Sequence, residues 1–227
     1  TNKYAKFIAS IDIPSGLDCD LGIQRGVAVR ADITYTLEVM KQGFFYYKAI
    51  DYVGDIKVLK IGIPEQIRKN ISGKFYILQE PEYKQLLIKR KIYGHKGTYG
   101  RALVIAGQKG FTGAAFITTE CTVRAGAGLT TLICDQDVQE ILSSRFIEAM
   151  TATWDSNVME LIKSANSIAL GPGIGIGDRQ DNILQQVINH SRCPIVIAAD
   201  GITSWGQNKA LTKKIKERRI IVGGKAY

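Results

Sequence analysis

An aspartate, a serine and a glycine follow the first apolar run of the chain, in Ser10-Ile11-Asp12-Ile13-Pro14-Ser15-Gly16-Leu17-Asp18. Pro14 and Gly16 impose a tight turn, and Ser15 offers a hydroxyl oxygen. A carboxylate at a strand end, here Asp12, can hold ribose hydroxyls or accept a proton. Equally, Asp12 and Ser15 can serve only to hydrogen-bond the backbone of the turn. His95-Lys96-Gly97-Thr98-Tyr99-Gly100-Arg101 joins cations suited to an anion with glycines that permit close backbone approach, or is simply the basic end of a connector. Gly107-Gln108-Lys109-Gly110-Phe111-Thr112-Gly113-Ala114-Ala115 lies between a strand and a helix. The amides opening that helix can receive a phosphate or a polar ligand edge. Gly171-Pro172-Gly173-Ile174-Gly175-Ile176-Gly177 also separates a strand from a helix, and its glycines leave the backbone open to a ligand. Neither loop has the GxGxxG spacing of a dinucleotide fingerprint. Two such loops at the ends of neighbouring strands would converge on one edge. Ala198-Ala199-Asp200-Gly201 ends a strand on an acid, placed to face a ligand or to cap structure. The small residues Ala125-Gly126-Ala127-Gly128 read as helix–sheet packing, and His190 as a helix end where a cation suits the dipole.

Strand ends are useful only if strands exist to supply them. Residues 7–11 read as a buried strand, 27–37 contain another, and 56–61 a third. Pro64 breaks the pattern. Residues 64–98 are mixed, basic and weakly periodic, which suggests a connector with little core of its own. Beyond them strands alternate with helices. Strands are expected at 102–106, 129–134, 167–170, 194–199 and from Ile220. Helices are expected at 113–127, 137–144, 157–165, 181–190 and 208–218. This rhythm predicts an α/β fold, a parallel sheet between two helical layers. Right-handed crossovers then bring the strand C-terminal ends to one edge, where ligands bind in such folds.

Composition sets outer limits. Hydrophobic residues make up 45% and charged residues 22% of the 227, ordinary for a soluble globular protein. No apolar stretch is long enough to predict a membrane span, and the polar start is not that of a signal peptide. The four cysteines, Cys19, Cys121, Cys134 and Cys193, have neither CxxC nor zinc-type spacing, and read as reduced thiols of a cytoplasmic protein. The net charge of +9 is concentrated, because residues 57–101 hold eleven Lys or Arg and three Glu. Such a segment is either a solvated linker or a surface for nucleic acid or another anion; no RNA-binding signature accompanies it.

The motifs together are more specific than any one of them. Residues 8–20 resemble the C-terminal part of NAD(P)H-hydrate epimerases, whose V/I-D-x-P-S-G-L-D-x-D-x-G pattern fits the stretch from Asp12 to Gly22. Val29-Arg30-Ala31-Asp32-Ile33-Thr34-Tyr35-Thr36 and Ile61-Gly62-Ile63-Pro64 match the strands that follow in that family. From residue 95 the chain resembles an NAD(P)H-hydrate dehydratase of ribokinase-like fold. The matching stretches are 95–101, 106–115, 124–130, 171–175 and 200–201. The resemblance implies residues 1–64 as the C-terminal part of a Rossmann-like epimerase domain, 65–94 as a basic linker, and 95–227 as the N-terminal part of a ribokinase-like domain. It further implies repair of hydrated NADH and NADPH. The epimers of the hydrate interconvert, and the S epimer is dehydrated at the expense of ADP or ATP. Asp12 would meet substrate and Ser15 would bind potassium. Gly113, Ala114, Ala115, Gly171, Gly173, Gly175 and Asp200 would line the hydrated-nucleotide site, with magnesium accompanying the phosphates. Segments of the family pattern are not found, including T-P-H-x-G-E after Val222 and the G-T-G-D loop with the catalytic aspartate. A chain truncated at both ends is therefore expected, with little or no dehydratase turnover by itself and a sheet edge open to homo-oligomer formation. Two alternatives are a catalytically incomplete nucleotide-binding remnant and a nucleic-acid-binding protein that uses the basic segment.

Overall fold

The computed structural model of the chain describes residues 1–71, 76–78, 80–87, 89–154, 156–207 and 220–223. Two compact units divide the chain, Thr1–Ile88 and Lys89–Tyr227.

The first unit is built on three parallel strands, β1 (Ala9–Ile11), β2 (Ile33–Leu37) and β3 (Asp55–Leu59), in the order β1-β2-β3. Helix α1 (Ile50–Val53) leads into β3. It is tied to the middle strand by the buried Thr34 hydroxyl, which donates to the Val53 carbonyl at 2.7 Å. A small core of Leu17, Phe44, Ala49 and Val53 forms beside this strap. One expectation fails here. The strand at 7–11 is shorter than its apolar run and is not buried: Phe7 is 65% and Ile11 64% exposed, while Ser10 between them is buried. An outer strand of a three-stranded sheet is covered on few sides, so apolar sequence alone does not secure burial there. The basic segment also holds more regular structure than expected, in helices α2 (Glu65–Asn70) and α3 (Glu80–Leu86). Helices of under two turns show no full amphipathic period in sequence. No residue of α3 is buried.

The second unit carries six parallel strands: β4 (Arg101–Ile105), β5 (Leu129–Cys134), β6 (Met150–Thr153), β7 (Ser167–Leu170), β8 (Ile195–Ile197) and β9 (Ile220–Val222). Their order is β6-β5-β4-β7-β8-β9. The connecting helices are α4 (Thr112–Arg124), α5 (Gln136–Ser143), α6 (Val158–Ser164), α7 (Asp178–His190) and α8 (Asp200–Gln207). Alternation along the strands sends side chains to opposite faces. Val104, Leu132 and Cys134 pack against Ala115 of α4 and Val138 and Leu142 of α5. Leu103, Ile105 and Ile133 pack the other way, against Ile162 of α6 and Leu184, Val187 and Ile188 of α7. This is the three-layer arrangement that the sequence rhythm predicts. Strand β6 was not anticipated, because Met-Thr-Ala-Thr is too short and too polar to stand out. The helix expected at 208–218 lies outside the described residues. Among the described residues, no helix is long and apolar enough to cross a membrane.

Ile105 is fully buried on the central strand β4. Ile105→Ala should destabilise this unit by about 2–5 kcal/mol in urea unfolding, the range for a large-to-small change in a packed core. Ile117→Ala, on the exposed side of α4, should stay within about 0.5 kcal/mol.

Candidate functional site

The strand order reverses at β4. From β4 the chain moves outward to β5 and β6, then returns to place β7 on the other flank of β4. The loops leaving β4 and β7 therefore diverge to opposite faces, and ligands of open parallel sheets enter at such a point. Both glycine-bearing loops start here. They are stitched together by their backbones: Gly171 N–H donates to Ile105 O and Gly107 N–H to Pro172 O, each at 3.0 Å. Ile174 anchors the second loop by burying its side chain in the core under α7, and Gln180 Nε2 donates to its carbonyl at 3.2 Å. Gly173 has φ +63, and a Cβ there would stand 3.0 Å from Ala114 Cβ and 3.1 Å from Phe111 Cβ. Any side chain at 173 would have to push the first loop away.

Asp200 joins the same cluster. Its Oδ2 accepts the Gly175 N–H at 3.0 Å. The preceding Ala199 is left-handed, with φ +48, a conformation that disfavours a Cβ by about 1–2 kcal/mol. Gly113 at the opening of α4 faces open space, since nothing lies within 4 Å of where its Cβ would be. Ala115 is different: its side chain is wholly buried, beneath Gly107 and beside the α5 core. Gly171 sits tightly against the Ala198 carbonyl and so joins β7 to β8 rather than presenting open backbone. The structure thus brings Ala114, Gly173, Gly175 and Asp200 together, leaves Gly113 open beside them, and uses Ala115 and Gly171 for packing.

Two ion pairs at this edge escaped the sequence reading. Asp135 follows β5, and its Oδ1 lies 2.6 Å from Nη2 of Arg179 in the first turn of α7. Lys109 of the first loop lies 3.5 Å from Asp137 Oδ2. The signal for Asp135 was present, since it is an acid directly after a strand, as Asp12 is; Asp200, expected at a strand end too, instead opens α8, with Ala198 and Ala199 between it and β8. Arg179 has no motif and is found only through the fold.

In the first unit Asp12 directly follows β1 with φ +65. Its N–H donates to Tyr35 O at 2.8 Å. Its Oδ1 accepts the Leu37 N–H at 3.0 Å and faces Lys41 Nζ at 2.8 Å, with Thr36 Oγ1 at 3.5 Å. Lys41 also donates to the carbonyls of Leu37 at 3.1 Å and Val39 at 3.4 Å, so its ammonium is fixed. The hydrogen bond from Lys41 and then that from Leu37 N–H hold the Asp12 carboxyl below its ordinary pKa. Glu38 repeats the device after β2. It has φ +61 and is only 6% exposed. Its Oε2 accepts Ile61 N–H at 2.9 Å, and its Oε1 faces Arg68 Nε at 3.3 Å and Lys60 Nζ at 3.6 Å. The bond from Ile61, followed by the nearby Lys60 and Arg68 charges, lowers its pKa too. Neither Lys41 nor Glu38 was singled out in the sequence. Ser15 lies exposed in the turn, its carbonyl accepting Val29 N–H at 2.9 Å. Among the described residues, no three His, Cys, Asp or Glu side chains gather as a metal site.

Both units of the chain resemble known proteins. Residues 102–222 match the family model described as NAD(P)H-hydrate dehydratase, and residues 1–43 the one described as YjeF-related protein N-terminus. The bifunctional NAD(P)H-hydrate repair enzyme Nnr of Coxiella burnetii is 32% identical over 204 residues, 88% of this chain and 41% of that protein. The bifunctional NAD(P)H-hydrate repair enzyme of Leishmania major is 31% identical over 211 residues, 85% of this chain and 37% of that protein. The chain thus spans about two fifths of the length of the curated relatives it matches. A ribokinase-like superfamily protein from Enterococcus faecalis superposes with a TM-score of 0.54 at 27% identity, over 60% of this chain and 51% of that one. Since the dehydratase match covers β4 through β9 with both glycine-bearing loops, this chain belongs to the NAD(P)H-hydrate dehydratase family.

Proposed function

We propose that the chain works in the repair of NADH and NADPH whose nicotinamide ring has been hydrated. The observation that carries this reading is the meeting of the two glycine-bearing loops at the reversal point of the sheet, with Asp200 bonded to one of them. Exposed amides at the start of α4 suit a dinucleotide phosphate. Gly113, Ala114, Gly173 and Gly175 form the surface for the hydrated nucleotide, and Asp200 holds the second loop in place beneath it. The logic of dehydration is that of leaving groups. Hydroxide leaves poorly, so the ring hydroxyl of the S epimer gives up its proton and takes the terminal phosphoryl group of ADP or ATP, leaving AMP or ADP; phosphate then departs as the adjacent ring carbon loses a proton, and the ring double bond returns. Magnesium would accompany the phosphates of the co-substrate, and Arg179 and Lys109 stand at the same edge as cations for them.

In the first unit Asp12 is the candidate group for epimerisation of the hydroxylated carbon. It is ionised and oriented through Oδ1, which leaves Oδ2 to accept a proton or hold a hydroxyl of the substrate. The exposed Ser15 hydroxyl in the adjoining turn fits a potassium ion as one oxygen ligand among several. The compartment we assign is the cytoplasm, a reading supported by Cys19, Cys121 and Cys134, which form no disulfide among the described residues.

Two outcomes are expected. A mixture of hydrated NADPH epimers should raise the melting temperature of the protein. At a ligand concentration of about 100 Kd the stabilisation is about 2.7 kcal/mol. Gly173→Val, which would drive a side chain into Ala114 and Phe111, should abolish that shift; an unchanged shift would place the ligand elsewhere. The second outcome concerns pH. The Asp12 pKa is depressed in the folded state, so the stability it contributes is present above the ordinary value of 3.8 and is lost as pH falls through the lower folded value. Lys41→Met removes the largest cause, and the Asp12 carboxyl should then titrate at higher pH, read from its carbon chemical shift by NMR. An unmoved titration would show that Lys41 does not hold it.

A further inference from the structure

The motif from His95 to Arg101 takes no part in the site just described. It forms a 3-10 turn, Lys96–Tyr99, and then enters β4 at Arg101. That is the N-terminal edge of the sheet. A strand of five residues separates it from the glycine-bearing loops, about 16 Å at 3.3 Å per residue. The cations of this motif therefore cannot serve a ligand held at the other edge.

What they do line is a cleft of about 490 Å³, whose charged and aromatic walls are Arg90, Lys91, His95, Lys96, Tyr99 and Glu148. Three permanent cations face one carboxylate. None of Arg90, Lys91 and Lys96 makes an ion pair among the described residues, although each stands on a fixed part of the wall. The Tyr99 hydroxyl accepts Lys91 N–H at 2.7 Å. The Arg90 guanidinium lies 4.9 Å from the centre of the Tyr99 ring, and its Nη2 donates to Gly126 O at 3.3 Å. Stacking on an aromatic face orients a guanidinium without neutralising it. Space for this wall comes from two glycines. A Cβ on Gly128 would overlap the Lys96 carbonyl, and one on Gly94 would overlap the Tyr99 hydroxyl. The small residues at 125–128 thus have a use beyond helix–sheet packing. A second cavity of about 480 Å³ adjoins the cleft and shares Lys96, Leu129 and Met150 with it. Its interior is mostly aliphatic, with Leu103, Ala152 and Leu161.

We propose that this cleft is a second ligand site of the unit, which binds the phosphate groups of a small phosphorylated molecule independently of the repair site. Concave walls of unpaired cations concentrate an anion, and charge-assisted hydrogen bonds to phosphate oxygens give it affinity. The neighbouring aliphatic cavity is placed to take an uncharged body attached to that phosphate.

The test is titration of the full 227-residue chain with inorganic pyrophosphate, followed by amide chemical shifts at low salt. Saturable shifts should appear at residues 95–101 and 126–129. Lys91→Ala with Lys96→Ala, both exposed positions, should weaken binding by about tenfold or more, as expected for loss of charge-assisted bonds. Glu148→Gln removes the carboxylate of the wall and should tighten binding about two- to fivefold. ADP in place of pyrophosphate separates the sources of phosphate. Tighter binding with added shifts at Met150 and Leu161 marks a nucleotide, and equal binding marks free polyphosphate. The proposal is overturned if pyrophosphate does not saturate, if the double variant binds it unchanged, or if the shifts fall only at 107–113 and 171–177.

Discussion

A parallel sheet whose strand order reverses cannot cover the ends of the two strands at the reversal with the same helical layer. The loops leaving β4 and β7 must part, one to each face, and everything at the candidate site follows from that parting. Two backbone bonds, Gly171 to Ile105 and Gly107 to Pro172, hold the loops against each other before they separate. The buried Ile174 then fixes the height of the second loop. Backbones that approach this closely need small residues, which is why Ala114 and Gly173 meet there with no room for larger ones. The two hydrophobic layers on either side of β4 keep this geometry, since any slip of the central strand would exchange its Val104 and Ile105 faces.

The same economy is visible in how acids are placed. Asp12 and Glu38 each follow a parallel strand in a left-handed conformation, and Ala199 adopts that conformation directly before Asp200. A left-handed residue turns the chain sharply at the strand end, so the carboxylate points back across the edge instead of following the strand outward. For Asp12 and Glu38 the turn is stabilised by backbone N–H groups, from Leu37 and Ile61, that also favour the charged carboxylate. Local strain of this kind persists where surrounding bonds over-determine it, and it clusters where a site must be rigid.

Much of this was readable from residues alone, and the reasons for the exceptions are physical. Strands at 129–134 and 167–170 stand out because their apolar residues are interrupted only by Ser or β-branched Thr, and the structure ends them at Leu129–Cys134 and Ser167–Leu170. Met150–Thr153 sits at the outer edge, where half its residues need not be apolar, and it carried no signal. Phe7 and Ile11 carried a signal for burial that an outer strand does not honour. The glycine-bearing loops were visible as composition, but their meeting was not, since sequence does not say that β7 returns to one flank of β4 while β5 and β6 lie on the other. Ala115 shares a motif with Ala114 yet faces the core, because consecutive helical residues point about 100° apart. Lys41 and Arg179 act across 29 and 44 residues of sequence, on Asp12 and Asp135, and no local pattern announces partners so distant.

The hydrated nucleotide is proposed to be held at the reversal point of the second unit. A crystal structure of the chain with hydrated NADPH measures this directly. The dinucleotide should lie between residues 107–113 and 171–177, with its phosphates at the opening of α4 and its hydrated ring beside Gly173. Density for the dinucleotide at any other edge of the sheet, with both loops empty, would contradict it.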